Sequence, residues 1–397
     1  MSQRKYGSEF GFLTRAVHTG NDVDRETGAI KRPITLGNCY ELPYDPSSLN
    51  WSSADKALYT RNGGVNQKYL QEKIAALEGT EDCVVLASGV AALSGIFFTF
   101  LKSGDHVVCS KVTYIAVYRL LTEHLKEKYG IEATLVDTSD PEAVKAAIRP
   151  NTKLIHIETP GNPTIGISDI AAIAEIAREN GILLSVDNTF ASPYLQRPAE
   201  LGADLTVESL TKYINGHGDA LGGSVSGKKE LIDKIRAEAM VNLGGAISPF
   251  NAWLIMRGAV TLPLRMRQHS ESALKVARFL KSNPAVRFVA YPGLGSDRGH
   301  KVAAKQMKNG FSGMIAFGLN GDADAHNRFV SCLRVITSAV SLGHDESLIV
   351  SLGPDDERQY LYPEEFHGGF FRFSVGLEDT EDIVGDIRQA LERAGLT

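Results

Sequence analysis

The chain is poor in cysteine: four in 397 residues, at positions 39, 83, 109 and 332, with none of the spacings that hold a metal ion. A zinc ribbon or a disulfide scaffold is therefore excluded. Cys83 and Cys109 lie in apolar, strand-like runs, and the four read as reduced core residues of a cytosolic protein. No basic tract is present, and 42 Lys and Arg against 47 Asp and Glu leave a formal net charge of -5, which makes nucleic acid and anionic membrane poor partners. No apolar run approaches the roughly 20 residues that span a bilayer. The polar, charged N-terminus also lacks a signal-peptide core, so a cytoplasmic location is expected. Internal repeats and low-complexity segments are missing as well. Gly216-His-Gly218 lacks the spacing of a dinucleotide loop, and no serine nucleophile elbow occurs. His156, in Leu154-Ile-His-Ile157, reads as a core histidine rather than a ligand, and no metal is expected.

What is present is alternation of strand and helix. Residues 1–60 form a polar, turn-rich arm with weak periodicity. From 61 to 255, apolar strand-like runs alternate with helical patterns. One such pattern follows Pro163, where Ser168 serves as cap, apolar residues recur at helical spacing and Gly181 ends the run. This predicts an α/β fold, a mostly parallel sheet sandwiched by helices. A long helical stretch toward Leu280, then strands at Val286-Arg-Phe-Val-Ala290 and Met314-Ile-Ala-Phe-Gly318, mark a smaller C-terminal α+β domain over 256–397. The length suffices for two cores.

Three elements carry chemistry. Lys212 stands just past the strand-like Ala203-Asp-Leu-Thr-Val207, with hydroxyls at Ser209 and Thr211 before it and Gly216 and Gly218 behind it. A lysine at a strand end, between groups able to hold a phosphate and glycines that admit close backbone approach, suits the Schiff base of pyridoxal phosphate (PLP). Asp187 ends the buried run Ile182-Leu-Leu-Ser-Val186, at the strand end where open α/β sheets place ligands. A carboxylate there keeps the PLP ring nitrogen protonated, as an electron sink requires. Read alone, Asp187 is a helix cap or loop carboxylate and Lys212 a solvated lysine; it is the pairing, 25 residues apart, that points to chemistry. The third element is Cys83-Val-Val-Leu-Ala87 followed by Ser88, Gly89 and Val90 and a helical run to Leu101. This junction presents free N–H groups and a positive helix end to an anion.

With these motifs in place, the chain resembles the Cys/Met-metabolism PLP-dependent (transsulfuration) family, which includes cystathionine γ-synthase, cystathionine and methionine γ-lyases and acylhomoserine sulfhydrylases. The matches run from Thr14-Arg-Ala-Val-His-Thr-Gly20 to Phe373-Ser-Val-Gly-Leu-Glu-Asp379. Between them lie Tyr59-Thr-Arg61, Ala87-Ser-Gly89, Glu158-Thr-Pro-Gly-Asn-Pro163, Val186-Asp-Asn-Thr-Phe190, Pro193-Tyr-Leu-Gln-Arg-Pro198, Ser209-Leu-Thr-Lys-Tyr213 and Val340-Ser-Leu-Gly343. The resemblance implies the fold-type I PLP-dependent transferase architecture with PLP as cofactor. It implies that Tyr59 and Arg61 reach the phosphate of a neighbouring subunit, so that a homodimer is the active unit and a homotetramer, a dimer of dimers, the expected assembly. It also implies that Tyr114 stacks on the cofactor and handles the leaving-group proton, that Asn162 lies near the phenolic oxygen, and that Ser341 and Arg372, next to Val340, clamp the substrate carboxylate. A planar guanidinium and a stacking ring suit those tasks.

The implied reaction is γ-elimination on a γ-substituted L-amino acid, with Lys212 as the base and a sulfur amino acid as the leading substrate. Five departures from the family pattern bear on the substrate and the site. Val340 is apolar where cystathionine-processing members carry Glu, Ala116 replaces the Cys of methionine γ-lyases, and Met240-Val-Asn-Leu-Gly lacks their Lys-Asp pair. Gly64-Val-Asn66 replaces Asn-Pro-Thr after Arg61, and an acidic loop over 354–365 replaces the usual His-Pro and Met-Thr-His segment. If that loop faces the site, its carboxylates favour a cationic distal group, as in cystathionine or canavanine; otherwise it is a solvated surface. A γ-lyase for canavanine and γ-replacement are thus alternatives, with a PLP-binding regulator as a separate class.

Overall fold

A computed structural model describes residues 6–49 and 58–396. Seven strands form the larger sheet: β1 (Asp82–Leu86), β2 (His106–Ser110), β3 (Glu132–Val136), β4 (Thr152–Glu158), β5 (Leu183–Asp187), β6 (Leu205–Glu208) and β7 (Gly223–Gly227). Their order is β1-β7-β6-β5-β4-β2-β3. β3, β2, β4, β5 and β6 run parallel, whereas β7 is antiparallel to both β6 and β1. Helices cover both faces, so strands such as β2 and β7 are buried at every position and read as unbroken runs rather than alternating ones. Two reversals of direction leave β1 pointing the same way as β6, so the C-terminal ends of β1, β4, β5 and β6 open onto one edge. That edge carries Ser88, Glu158, Asp187 and Lys212.

The second sheet contains β8 (Val286–Ala290), β9 (Met314–Leu319), β10 (Thr337–Ser338), β11 (Leu348–Leu352) and β12 (Phe370–Ser374), in the order β10-β11-β12-β9-β8 and antiparallel except for β10 with β11. Its inner face packs on the helices Leu262–Ser282 and Thr380–Ala394, burying Val276, Leu280, Phe317, Phe371, Phe373 and Ile387 together. A further core cluster spans both sheets: Leu70, Ile74, Tyr213, Met266, Met314 and Phe370 share it. The segment that bears Lys212 is thereby packed directly against the second sheet.

Local expectations need small corrections. The helix after Pro163 runs Ile170–Glu179 and its cap is Asp169, not Ser168, with the carboxylate accepting from Ala172 N at 3.1 Å. Ser168 is turned inward instead, toward Thr138 Oγ1 at 2.7 Å. The arm contains a helix, Phe12–His18, that weak periodicity did not reveal. Cys83 and Cys109 are buried and free, but Cys39 is exposed and is no core residue. His156 is fully buried with Nδ1 3.1 Å from Ser185 Oγ, while Nε2 has no hydrogen-bond partner among the described residues. Among the described residues no helix is long and apolar enough to cross a membrane, and no group of His, Cys, Asp and Glu is placed to hold a metal ion.

Candidate active site

Lys212 sits in a tight turn after β6, its own N–H donating to Ser209 O at 3.1 Å. Two neighbours fix that turn. The Tyr213 ring is buried edge-on to His269, 5.2 Å between centres, and Arg265, from the long helix, donates to Tyr213 O at 2.6 Å and Ile214 O at 3.2 Å. The Lys212 Nζ is left to reach across to Ser341 Oγ at 2.7 Å, and Ser341 in turn stands 3.1 Å from His344 Nε2. Burial first, then the cation of Arg372, bring the Lys212 ammonium down to about 8, within reach of a working base near neutral pH.

A second group forms at the ends of β4 and β5, where Glu158 and Asp187 are register partners. One Glu158 oxygen accepts from Tyr114 N at 2.7 Å and from Thr113 Oγ1 at 3.0 Å; the other accepts from Asn162 N at 2.6 Å. A single buried carboxylate thus sets the positions of both Tyr114 and Asn162. Asn162 Oδ1 accepts from Arg372 Nη1 at 3.1 Å, and Arg372 Nη2 donates to Ser341 O at 2.8 Å. Tyr114, Asn162, Arg372, Ser341 and Lys212 are in this way joined through hydrogen bonds from five separate chain segments. Glu158 was quoted above only as part of a motif, and its role was missed; a charged residue closing the apolar run of β4 was the available signal. Burial pushes both the Asp187 and the Glu158 carboxyls upward, Glu158 further through the charge of Asp187. An ionised Asp187 here requires a cationic neighbour, and a protonated ring nitrogen meets that need.

The third group lies at the end of β1. Ser88 caps the helix Gly89–Phe100, its Oγ accepting from Ala91 N at 3.1 Å. The N–H groups of Gly89 and Val90, in the first turn, have no acceptor within the helix. Ser209 presses against Gly89 so closely that a Cβ there would stand 2.9 Å from Ser209 Oγ, which keeps this anion-facing turn bare of side chains. Thr211 Oγ1 both donates to Gly222 O (3.2 Å) and accepts from Gly222 N (3.1 Å), locking the turn between Ser209 and Lys212. The donor set, the cation-seeking Asp187 and the depressed lysine suit PLP together. Tyr59 and Arg61 stand apart: the Arg61 guanidinium lies 5.3 Å from the Tyr59 ring centre, and among the described residues none of the hydrogen bonds of the Lys212 group reaches either residue. Val340 is 80% exposed, an apolar rim beside Ser341.

The acidic loop, left open between facing the site and lying on a solvated surface, has two of its carboxylates engaged by arginines. Asp356 is held by Arg358 through Nη2 at 3.1 Å and Nε at 3.2 Å, and it accepts from Tyr362 Oη at 3.1 Å. Burial alone would raise the Asp356 carboxyl, but the Arg358 contacts outweigh it and hold it below its ordinary value. Glu357 pairs with Arg119 at 2.9 Å, and Tyr360 meets Tyr118, oxygen to oxygen, at 3.0 Å. The loop is a strap across the short helix that begins after Tyr114, and of its first three carboxylates only Asp355 has no arginine partner among the described residues.

A model of the Cys/Met metabolism PLP-dependent enzymes matches residues 13–392. The canavanine γ-lyase of Rhizobium leguminosarum bv. trifolii is 56% identical over 388 residues, 97% of each chain. The L-methionine γ-lyase of Porphyromonas gingivalis is 41% identical, over 96% of this chain and 97% of that protein. Among solved structures, metB from Corynebacterium glutamicum is 40% identical, with a TM-score of 0.89, over 96% of this chain and 98% of that one.

Proposed function

The chain belongs to the Cys/Met-metabolism PLP-dependent enzymes, and from that premise we propose that it is a γ-lyase acting on canavanine. The class is plain: a PLP-dependent lyase of amino-acid metabolism that eliminates a γ-substituent. The observation that carries the substrate is the 56% identity with a canavanine γ-lyase along nearly the whole of both chains, against 41% for a methionine γ-lyase. Methionine-type sulfur substrates form the second reading, favoured by the apolar rim at Val340.

When bound, PLP supplies an electron sink conjugated with the substrate α-carbon. Lys212 would form the Schiff base, and Asp187 would pair with the ring nitrogen. The phosphate would fall to Ser88, Gly89, Val90, Ser209 and Thr211, and on the assembled protein to Tyr59 and Arg61 of the neighbouring subunit; a homodimer would then be the smallest complete unit, and the family resemblance extends this to a homotetramer. Arg372, held in plane by Asn162 and Ser341 O, offers its guanidinium to the substrate carboxylate. Lys212, brought down to about 8 by burial and Arg372, takes the α-proton. Tyr114 would lie against the ring and hold the proton exchanged with the leaving group. With canavanine the broken bond is Cγ–O, so the leaving group is hydroxyguanidine. Residues 61–255 serve as the cofactor domain, 256–397 as the smaller domain, and 1–60 as the arm toward the neighbour.

The test is a substrate panel of canavanine, cystathionine and methionine with keto acid, thiol, homoserine and hydroxyguanidine measured. Hydroxyguanidine release from canavanine with the highest kcat/KM supports the reading; fastest turnover of methionine with thiol release refutes it.

A further inference from the structure

Lys212, Ser341 and His344 form a continuous hydrogen-bonded row: Nζ to Oγ at 2.7 Å and Oγ to Nε2 at 3.1 Å. The chemistry of the three groups sets its direction. A protonated lysine has only donors, so Ser341 Oγ must accept from it, and the single hydroxyl proton then points to Nε2 of a neutral imidazole. The row is built at some conformational cost. Ser341 holds φ of 87°, in the left-handed region that residues with a side chain rarely adopt. On the far side Gly218, with φ of 67°, leaves room for the imidazole, since a Cβ there would meet His344 Nδ1 at 2.9 Å.

We propose that His344 is a positioning and proton-holding residue for Lys212, acting through the Ser341 hydroxyl. The proposal rests on Lys212 being the base. In the transfer, an Nζ–H bond of Lys212 breaks as Ser341 Oγ gains that proton, and the Ser341 O–H bond breaks as His344 Nε2 gains its proton. Lys212 ends as a neutral amine, His344 as an imidazolium, Ser341 unchanged, and no electrons are gained or lost. Running the row backward returns the proton to Lys212 when it must act as an acid.

The charges around His344 suit a row that carries one proton. Burial and the Lys212 ammonium hold the imidazole below its ordinary range, while Asp345 beside it and Asp219 on the lysine segment oppose them. Once Lys212 is neutral its opposition vanishes, and burial alone is left to work against the two carboxylates that favour the imidazolium. Arg372, the other cation near Lys212, disfavours charge on the amine and so drives the proton in the same direction.

The experiment compares wild type, H344Q, S341A and S341A/H344Q holoenzymes for kcat, KM, the pH dependence of kcat and the visible band of the bound cofactor. Glutamine still accepts from Ser341 but holds no proton. H344Q is expected to keep the visible band and KM within about two-fold, to lose about 10- to 100-fold in kcat, and to show the acid limb of kcat moved upward toward the pH at which Lys212 itself loses its proton. The double variant should be no slower than S341A, because the row is already cut. A wild-type kcat and acid limb in H344Q, or losses that multiply in the double variant, overturns the proposal. The Lys212 assignment is checked separately: if K212A keeps the band and the activity, that reading fails whatever His344 does.

Discussion

Arg358 Nη1 donates a 2.8 Å hydrogen bond to the backbone carbonyl of Thr113, the residue immediately before Tyr114. Thr113 and Tyr114 are therefore held from two sides, by the buried Glu158 carboxylate on their N–H and hydroxyl groups and by a buried arginine on their carbonyl. Neither contact touches substrate, yet together they determine where the Tyr114 ring can stand. The R358M variant is expected to lower kcat/KM by about 10- to 100-fold, since misplacement of about 1 Å at a reacting centre costs on the order of 100-fold. It also leaves Asp356 without its charge partner, and should lower the unfolding temperature. D356N/R358M, which removes both charges, should recover much of the stability and little of the activity. A single R358M with wild-type kcat/KM would contradict the strap.

Lys212 gives a pH prediction that does not need turnover. Its ammonium is brought down to about 8 by burial and Arg372. Below that pH the amine is charged and inert toward electrophiles; above it the amine is free. Reductive methylation of Lys212 in cofactor-free protein, followed by peptide mass spectrometry, should rise to half its limiting rate near pH 8. R372M should move that midpoint upward, toward an ordinary lysine. A midpoint above pH 10 in the wild type would remove the physical basis for Lys212 as a base. In holoenzyme, K212A should abolish both the visible band and turnover.

These residues differ in how far they can be read from sequence, and the reason is their sequence separation. Lys212, Asp187 and Ser88 each close an apolar strand run, and a parallel sheet gathers strand ends onto one edge, so local pattern and topology suffice. The sheet order and the antiparallel β7 do not follow from local pattern, but they leave that edge intact. Arg358 is different: its partner Thr113 is 245 residues away, and within its own loop it looks like one basic residue among acidic ones. Composition left open whether the loop's carboxylates face the site, and packing pairs Asp356 and Glu357 with Arg358 and Arg119 while Asp355 stays exposed. His344 was passed over for a related reason, because nothing local marks a histidine three residues after Ser341 as facing a lysine from another segment.

Tyr59 and Arg61 lead to a prediction about assembly. On this chain they pair with each other and are not reached by the Lys212 hydrogen bonds, as residues that serve a neighbour's site would be. R61A and K212A should each be inactive as pure proteins. Mixed after reversible dissociation, they should recover up to about a quarter of wild-type activity, because one site of each mixed dimer then has both residues intact and half of the dimers are mixed. Demonstrated subunit exchange without recovered activity would place the two residues outside the active site.

The acidic loop separates two accounts of substrate choice. If its carboxylates bind the cationic end of canavanine, the exposed Asp355 is the one free to do so, and D355N should cost about 2–5 kcal/mol in the canavanine transition state, a loss of about 30-fold or more in kcat/KM, while sparing methionine. If the loop acts as a strap, D355N changes a solvated side chain and stays within about 0.5 kcal/mol. D356N then carries the effect, because it weakens the grip on Arg358 and hence on Thr113, and it should slow canavanine and methionine alike. The contacts of Asp356 and Glu357 with Arg358 and Arg119 favour the strap. The expected result is accordingly a near-silent D355N and a D356N that lowers kcat for both substrates without altering their ranking. A selective loss of canavanine turnover in D355N would return the loop to the binding pocket.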